Sequence, residues 1–230
     1  IFPPYSFQLA LFFFISGCLF KDKYLTDVAT FVERRIKSLL VPYFWYNLFY
    51  MLVTIVIAKL TGKFWGMPLS FKNFFITPFL NGHQFDLSCP LWFVTQLFMT
   101  MITFLFLFRA LNAVTKNKFV HLGFFAILGV LAIPFEKWFA VTPLMLIVIR
   151  TMFSMFFVYL GYFYTHYIKD NYNIFTPKWF GIVFVLQSIL WMFNRDYDPE
   201  HGIGLSYVLV WARFDDQLFV PVLTALTGIW

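Results

Sequence analysis

Charge is scarce in this chain: Asp, Glu, Lys and Arg together make up 12% of its 230 residues, about half the share of an ordinary soluble domain. A water-soluble fold of this length could not cover the 61% of residues that are hydrophobic, so a soluble globular domain is excluded. Cysteine is almost missing. Cys18 and Cys89 are too few for a disulfide framework and stand at no metal-ligand spacing, and neither receives a role. No glycine-rich phosphate loop and no metal motif occurs anywhere, so no metal is assigned. The strict apolar and polar alternation of a membrane barrel is absent from the long blocks, several of which are apolar all round, and this excludes a β-barrel.

The chain is instead rich in aromatic residues, including 35 Phe, gathered in apolar blocks near the roughly 20 residues a helix needs to cross the hydrocarbon core. The spans read as 6–20, 39–58, 91–108, 119–133, 143–164 and 179–193, with a further, truncated one starting near Leu218. The segment 69–80 is Phe-rich but too short to span, and reads as an interfacial or re-entrant helix on the outer face. The expected fold class is all-α, a polytopic transmembrane helical bundle of about seven spans plus that interfacial helix. Residues 1–230 form a single transmembrane domain in this reading, with both ends looking cut from something longer.

The net charge of +6 would raise nucleic acid as a partner in a soluble protein. Here the positive-inside bias explains the sign, and no nucleic acid is expected. Lys and Arg concentrate in 21–37, 109–118 and 165–178, which are assigned to the inside, whereas 59–89 and 195–216 are assigned to the outside. The stretch 11–47 sets this orientation, because it joins two apolar segments through a loop carrying Lys21, Lys23, Arg34, Arg35 and Lys37. Thr30 followed by Glu33 suggests a capped amphipathic helix leading into the second span. Pro42 is expected to kink or restart it. No internal repeat suggests the inverted halves of a transporter.

Four pieces in order carry a family resemblance: the Phe13-Phe14-Ile15-Ser16-Gly17 helix end, the basic residues Arg34-Arg35 ahead of Pro42-Tyr43, Leu91-Trp92-Phe93, and Leu160-Gly161-Tyr162. In these the chain resembles the membrane-bound acyltransferase family 3, which contains bacterial O-acetyltransferases and O-succinyltransferases of surface polysaccharides and related lipids. The resemblance implies an enzyme of the inner (plasma) membrane, multi-pass and embedded in lipid. It would take an acyl group, most often acetyl, from acyl-CoA inside to a hydroxyl of a carbohydrate or glycolipid acceptor at the outer face. Two departures matter. The family helix that carries the His thought to act as general base has no counterpart here, so the catalytic residue is unknown. The family often shows two Arg three apart, whereas Arg35 is followed by Ser38, with Lys37 a stand-in from another face of the helix.

Acyl transfer needs a base, a seat for the anionic donor and stabilisation of an oxyanion. Arg34, Arg35 and Lys37 are the donor-binding candidates, although the positive-inside rule accounts for the same charges. Arg150, inside a span, is a cavity candidate by the cost of an ionisable group at that depth, or it snorkels to the interface. Trp92 and Phe93 either line the acceptor site or belong to an aromatic belt. Asp215 and Asp216 could bind an acceptor sugar or lie in a hydrated loop. Ser16 and Gly17 read as helix-packing residues rather than a nucleophile. His83, His121, His166 and His201 lack a partner at triad or ligand spacing, His83 being the first to test as a base. Two other classes remain open, a transporter of glycan or lipid intermediates and a non-catalytic membrane scaffold.

Overall fold

A computed structural model describes residues 8–81, 85, 87, 91–138, 142–171, 176–193, 195–198, 202–205 and 219–229. The described residues are mostly helical. The elements are α1 (Gln8–Cys18), α2 (Val28–Arg35), α3 (Val41–Thr61), α4 (Phe71–Phe75), α5 (Thr77–Asn81), α6 (Trp92–Val114), α7 (Lys118–Trp138), α8 (Pro143–Phe163), α9 (Pro177–Phe193) and α10 (Phe219–Ile229). A small antiparallel hairpin, β1 (Arg195–Asp198) with β2 (Gly202–Leu205), pairs Arg195 with Leu205 and Asp198 with Gly202. The sequence reading had only loop there.

Four helical stretches are long and apolar enough to cross a membrane: Val28–Thr61, Trp92–Val114, Lys118–Phe135 and Pro143–Ile168. The apolar helices Leu9–Cys18 and Pro177–Leu190 are shorter, and α10 has 11 residues. The helix existence read from the sequence therefore holds, while only four spans meet the length a crossing requires. One boundary moves. The span expected to stop before Pro134 runs through it to Trp138, because a proline near a helix end forfeits little more than one hydrogen bond, to Val130.

The chain divides into two compact units, Ile1–Lys21 with Ala110–Trp230, and Asp22–Arg109. In the first, α8 is the hub, packed along α1 and α7, with α10 against α1 and α9. The crossing of α1 and α8 is backbone on backbone. A Cβ placed on Gly17 would lie 1.9 Å from the Val158 carbonyl oxygen, and one on Gly161 would lie 1.9 Å from that of Phe14. Small residues are what lets helices approach this closely in lipid. Ile-Ser-Gly and Leu-Gly-Tyr, far apart in sequence, are thus the two halves of one joint. The Tyr159 hydroxyl donates to the Lys118 carbonyl at 2.9 Å, Lys118 Nζ lies 4.3 Å from the Tyr167 ring, and Phe20 meets Tyr162 edge-on at 6.1 Å. These contacts gather the exit of α1, the start of α7 and the end of α8 at one end of the unit. That is the arrangement expected if Lys21, Lys116 and Lys169 face the same compartment.

In the second unit a 3₁₀ turn (Asp22–Leu25) leads into α2. The helix is capped by Asp27, whose carboxylate accepts from the Thr30 amide at 3.2 Å, so the cap lies three residues ahead of the Thr30 expected from sequence. Asp outranks Thr at that position. The bond holds the Asp27 carboxyl below its usual range. A folded-state pKa lowered in this way stabilises α2 above the ordinary carboxylate range, about pH 4, and the contribution fades as pH falls through the lowered value. Asp27→Ala should cost about 1 kcal/mol at neutral pH and nothing in acid, read as slower or faster amide exchange along α2 in the purified protein.

α2 continues into α3 through a π-turn, Ile36–Leu40, in which the Val41 amide reaches back five residues to the Ile36 carbonyl. Pro42, at the start of α3, explains it: it has no N–H to offer Ser38, and its ring would crowd that carbonyl. A widened turn relieves both problems where a kink was expected. After α3 ends at Gly62, which takes the left-handed conformation at φ 72°, the chain doubles back. Phe44 packs against Phe74, Phe75 and Phe79 at ring distances of 6.1, 5.3 and 6.4 Å. Phe44 lies about 27 Å along the helix from Gly62. Of the two readings of the Phe-rich segment, re-entrance is the one these contacts fit.

Candidate active site

The basic turn of the second unit sorts its three cations by environment. Arg34 is exposed and its Nη1 donates to the Tyr24 hydroxyl at 3.3 Å. Lys37 is exposed and paired with Glu33 at 2.5 Å, an i,i+4 bridge worth about 0.3–0.5 kcal/mol. Arg35 alone is half-buried, with its guanidinium 5.1 Å from the centre of the Phe31 ring, itself 1% exposed. The face of α2 that turns inward is therefore that of Phe31 and Arg35. Ser38 lies in the π-turn, exposed.

Beyond the turn, α3 carries polar groups where an apolar span has none to spare. Tyr43, Asn47 and Thr54 are 1%, 0% and 0% exposed. At about 100° per residue they fall within about 40° of one another, on a stripe about 16 Å long. Their spacing of four and seven residues was legible in the sequence, and only the apolar blocks around them hid it. The π-turn decides whether Arg35 joins this stripe. In a regular helix Arg35 would stand about 80° from Tyr43, and the extra residue of a π-turn returns about 100° of that rotation, leaving about 20°. Its half-buried position agrees.

Beside the stripe lies an apolar groove of about 400 Å³ lined by Val41, Phe44, Trp45, Leu48, Phe74 and Phe75. At the start of α6, Trp92 is 6% exposed, unlike a belt residue facing lipid. It meets the half-buried Phe93 edge-on at 6.2 Å. Next to them the Thr95 hydroxyl donates to the Trp92 and Pro78 carbonyls at 3.0 and 3.3 Å, and Gln96 Nε2 donates to Thr100 Oγ1 at 3.3 Å.

In the other unit Arg150 is 4% exposed on α8. Snorkelling would have left it more open. Ser154, 0% exposed, follows one turn later. His166 Nδ1 lies 2.9 Å from the Tyr162 carbonyl and its ring stacks on Tyr162 at 4.1 Å. His121 Nε2 lies 3.0 Å from the Thr115 carbonyl. These contacts suit structural histidines. Asp215, Asp216, His83, His201 and Cys89 lie outside the described residues. Among the described residues no group of His, Cys, Asp and Glu is placed to hold a metal ion.

A family model described as an acyltransferase domain matches residues 3–230. No curated protein and no solved structure matches the chain.

Proposed function

This chain belongs to acyltransferase family 3, and from that premise we propose that it moves an acetyl group from acetyl-CoA on the cytoplasmic side of the inner membrane to a hydroxyl of a surface polysaccharide or glycolipid. It is a membrane acyltransferase, and the single domain 1–230 supplies the donor side of the reaction. The observation that carries the reading is Arg35: a cation half-buried at the basic end of α3, in line with a buried polar face, is arranged for an anion and not merely for topology. A phosphate there gains a bidentate partner that a Lys could not reproduce. Arg34 and Lys37, both exposed, add field at longer range.

Trp92 and Phe93 are proposed to line the acceptor side, with Asp215 and Asp216 as hydrogen-bond acceptors for sugar hydroxyls. Arg150 is proposed to stabilise charge inside a cavity of its own unit. The base that takes the acceptor's proton is not assigned to any residue of this chain. Cells with and without the gene decide between transfer and transport. Transfer adds the mass of one acetyl ester to the surface glycan, removable by mild alkali. An exporter would change the amount of glycan at the surface and leave its mass unaltered.

A further inference from the structure

The hydrogen-bonding groups of the α3 stripe pose a problem of their own. Tyr43 and Asn47 approach one another, yet the Tyr43 hydroxyl, both polar atoms of the Asn47 carboxamide and the Thr54 hydroxyl have no partner in a hydrogen bond of normal geometry. Each is fully enclosed. A buried polar group left unpaired costs about 1–3 kcal/mol, and three on one face of one helix are more than accident supplies. Thr95 and Gln96 of α6, equally buried, do find partners, so the fold satisfies such groups elsewhere. What the stripe lacks is something that runs along it.

We infer that Tyr43, Asn47 and Thr54 form a binding track for the amide-bearing arm of the acyl donor, continuous with Arg35 through the π-turn. The inference rests on the donor reading above and deepens it. An extended chain with amides a few ångströms apart offers donors and acceptors to hydroxyl and carboxamide groups set at successive levels of a helix. Asn47 can both donate to and accept from such an amide, and Tyr43 and Thr54 can each do either. The π-turn is then a register device. Without its extra residue the anion-binding Arg35 would point about 80° away from the track its ligand follows.

The two halves of the donor separate the parts of this account. Asn47→Leu and Thr54→Val should weaken acetyl-pantetheine as a donor about five- to tenfold each and leave inhibition by the nucleotide half, adenosine bisphosphate, unchanged. Arg35→Ala should do the reverse. Because the removed groups are unpaired in the free protein, both apolar variants should keep or raise the melting temperature in detergent. Deleting Ser38 should weaken adenosine bisphosphate with all side chains of the track intact. If Asn47→Leu and Thr54→Val leave acetyl-pantetheine unaffected while Arg35→Ala weakens the nucleotide, the track is overturned and the donor reading stands. If no variant alters either half, the donor reading falls with it. A lowered melting temperature with unchanged donor kinetics would assign these groups to the packed core and overturn the track as well.

Discussion

Arg35→Ala is expected to raise the KM for acetyl-CoA by about one to two powers of ten, with a smaller effect on kcat. Hydrogen bonds to a charged partner are worth roughly 1.5–3 kcal/mol, and each 1.4 kcal/mol is tenfold. The site is half-buried, where salt screens a charge less than on the open surface. Lys37→Ala should change KM less than threefold, since Lys37 is exposed and its nearest partner is Glu33. Arg35→Lys should recover only part of the loss, because the planar fork and the stacking on Phe31 are what a Lys lacks. Insertion is not at risk: Lys21, Lys23, Arg34 and Lys37 keep the loop basic. A correctly inserted Arg35→Ala protein with the wild-type KM would return the patch to a purely topological role.

Gly161→Val should be the most damaging single change, with Gly17→Val close behind. A Cβ at either position would lie 1.9 Å from a backbone carbonyl oxygen of the facing helix, and backbone cannot swing aside as a side-chain tip can. The helices α1 and α8 would have to separate, and with them the hub of their unit. Overpacking of a core ordinarily costs about 1–3 kcal/mol, and a clash on backbone should exceed it, at about 3–5 kcal/mol. The expected reading is loss of the monodisperse peak in detergent and little protein in the membrane. Gly123→Val is the control. A Cβ there meets nothing within 4 Å, and the variant should accumulate normally. Equal yields from Gly161→Val and Gly123→Val would contradict the close crossing.

Much of this architecture was legible from apolar blocks and their punctuation. Pro143 and Gly161-Tyr162 bracketed α8 almost to the residue, because Thr142 caps its start and proline suits a first turn. The role of Ser16-Gly17 in helix packing was also legible, but not its partner. Glycine announces a close approach without saying to what. The π-turn was not legible: Pro42 signals a disturbed hydrogen bond, and whether the helix answers by kinking or by widening depends on what must stay buried on either side, here Phe31 and Tyr43. For the same reason the distinction between Arg35 and its neighbours was invisible in the run Arg34-Arg35-Ile36-Lys37. A straight helical wheel puts Arg35 away from the Tyr43 face. The seven-span count overreached because α1, α9 and α10 are apolar enough but fall short of a full crossing.

The sidedness of the donor tests the whole reading most directly. Membrane vesicles carrying the protein would be prepared in both orientations and given acetyl-CoA labelled in the acetyl group, with acceptor glycan present on both sides. The account predicts labelled, alkali-labile ester on the glycan only when the cytoplasmic face is exposed to the donor, and its loss at low donor concentration in Arg35→Ala vesicles. Label appearing only when the donor meets the opposite face, or no label in either orientation, would contradict it.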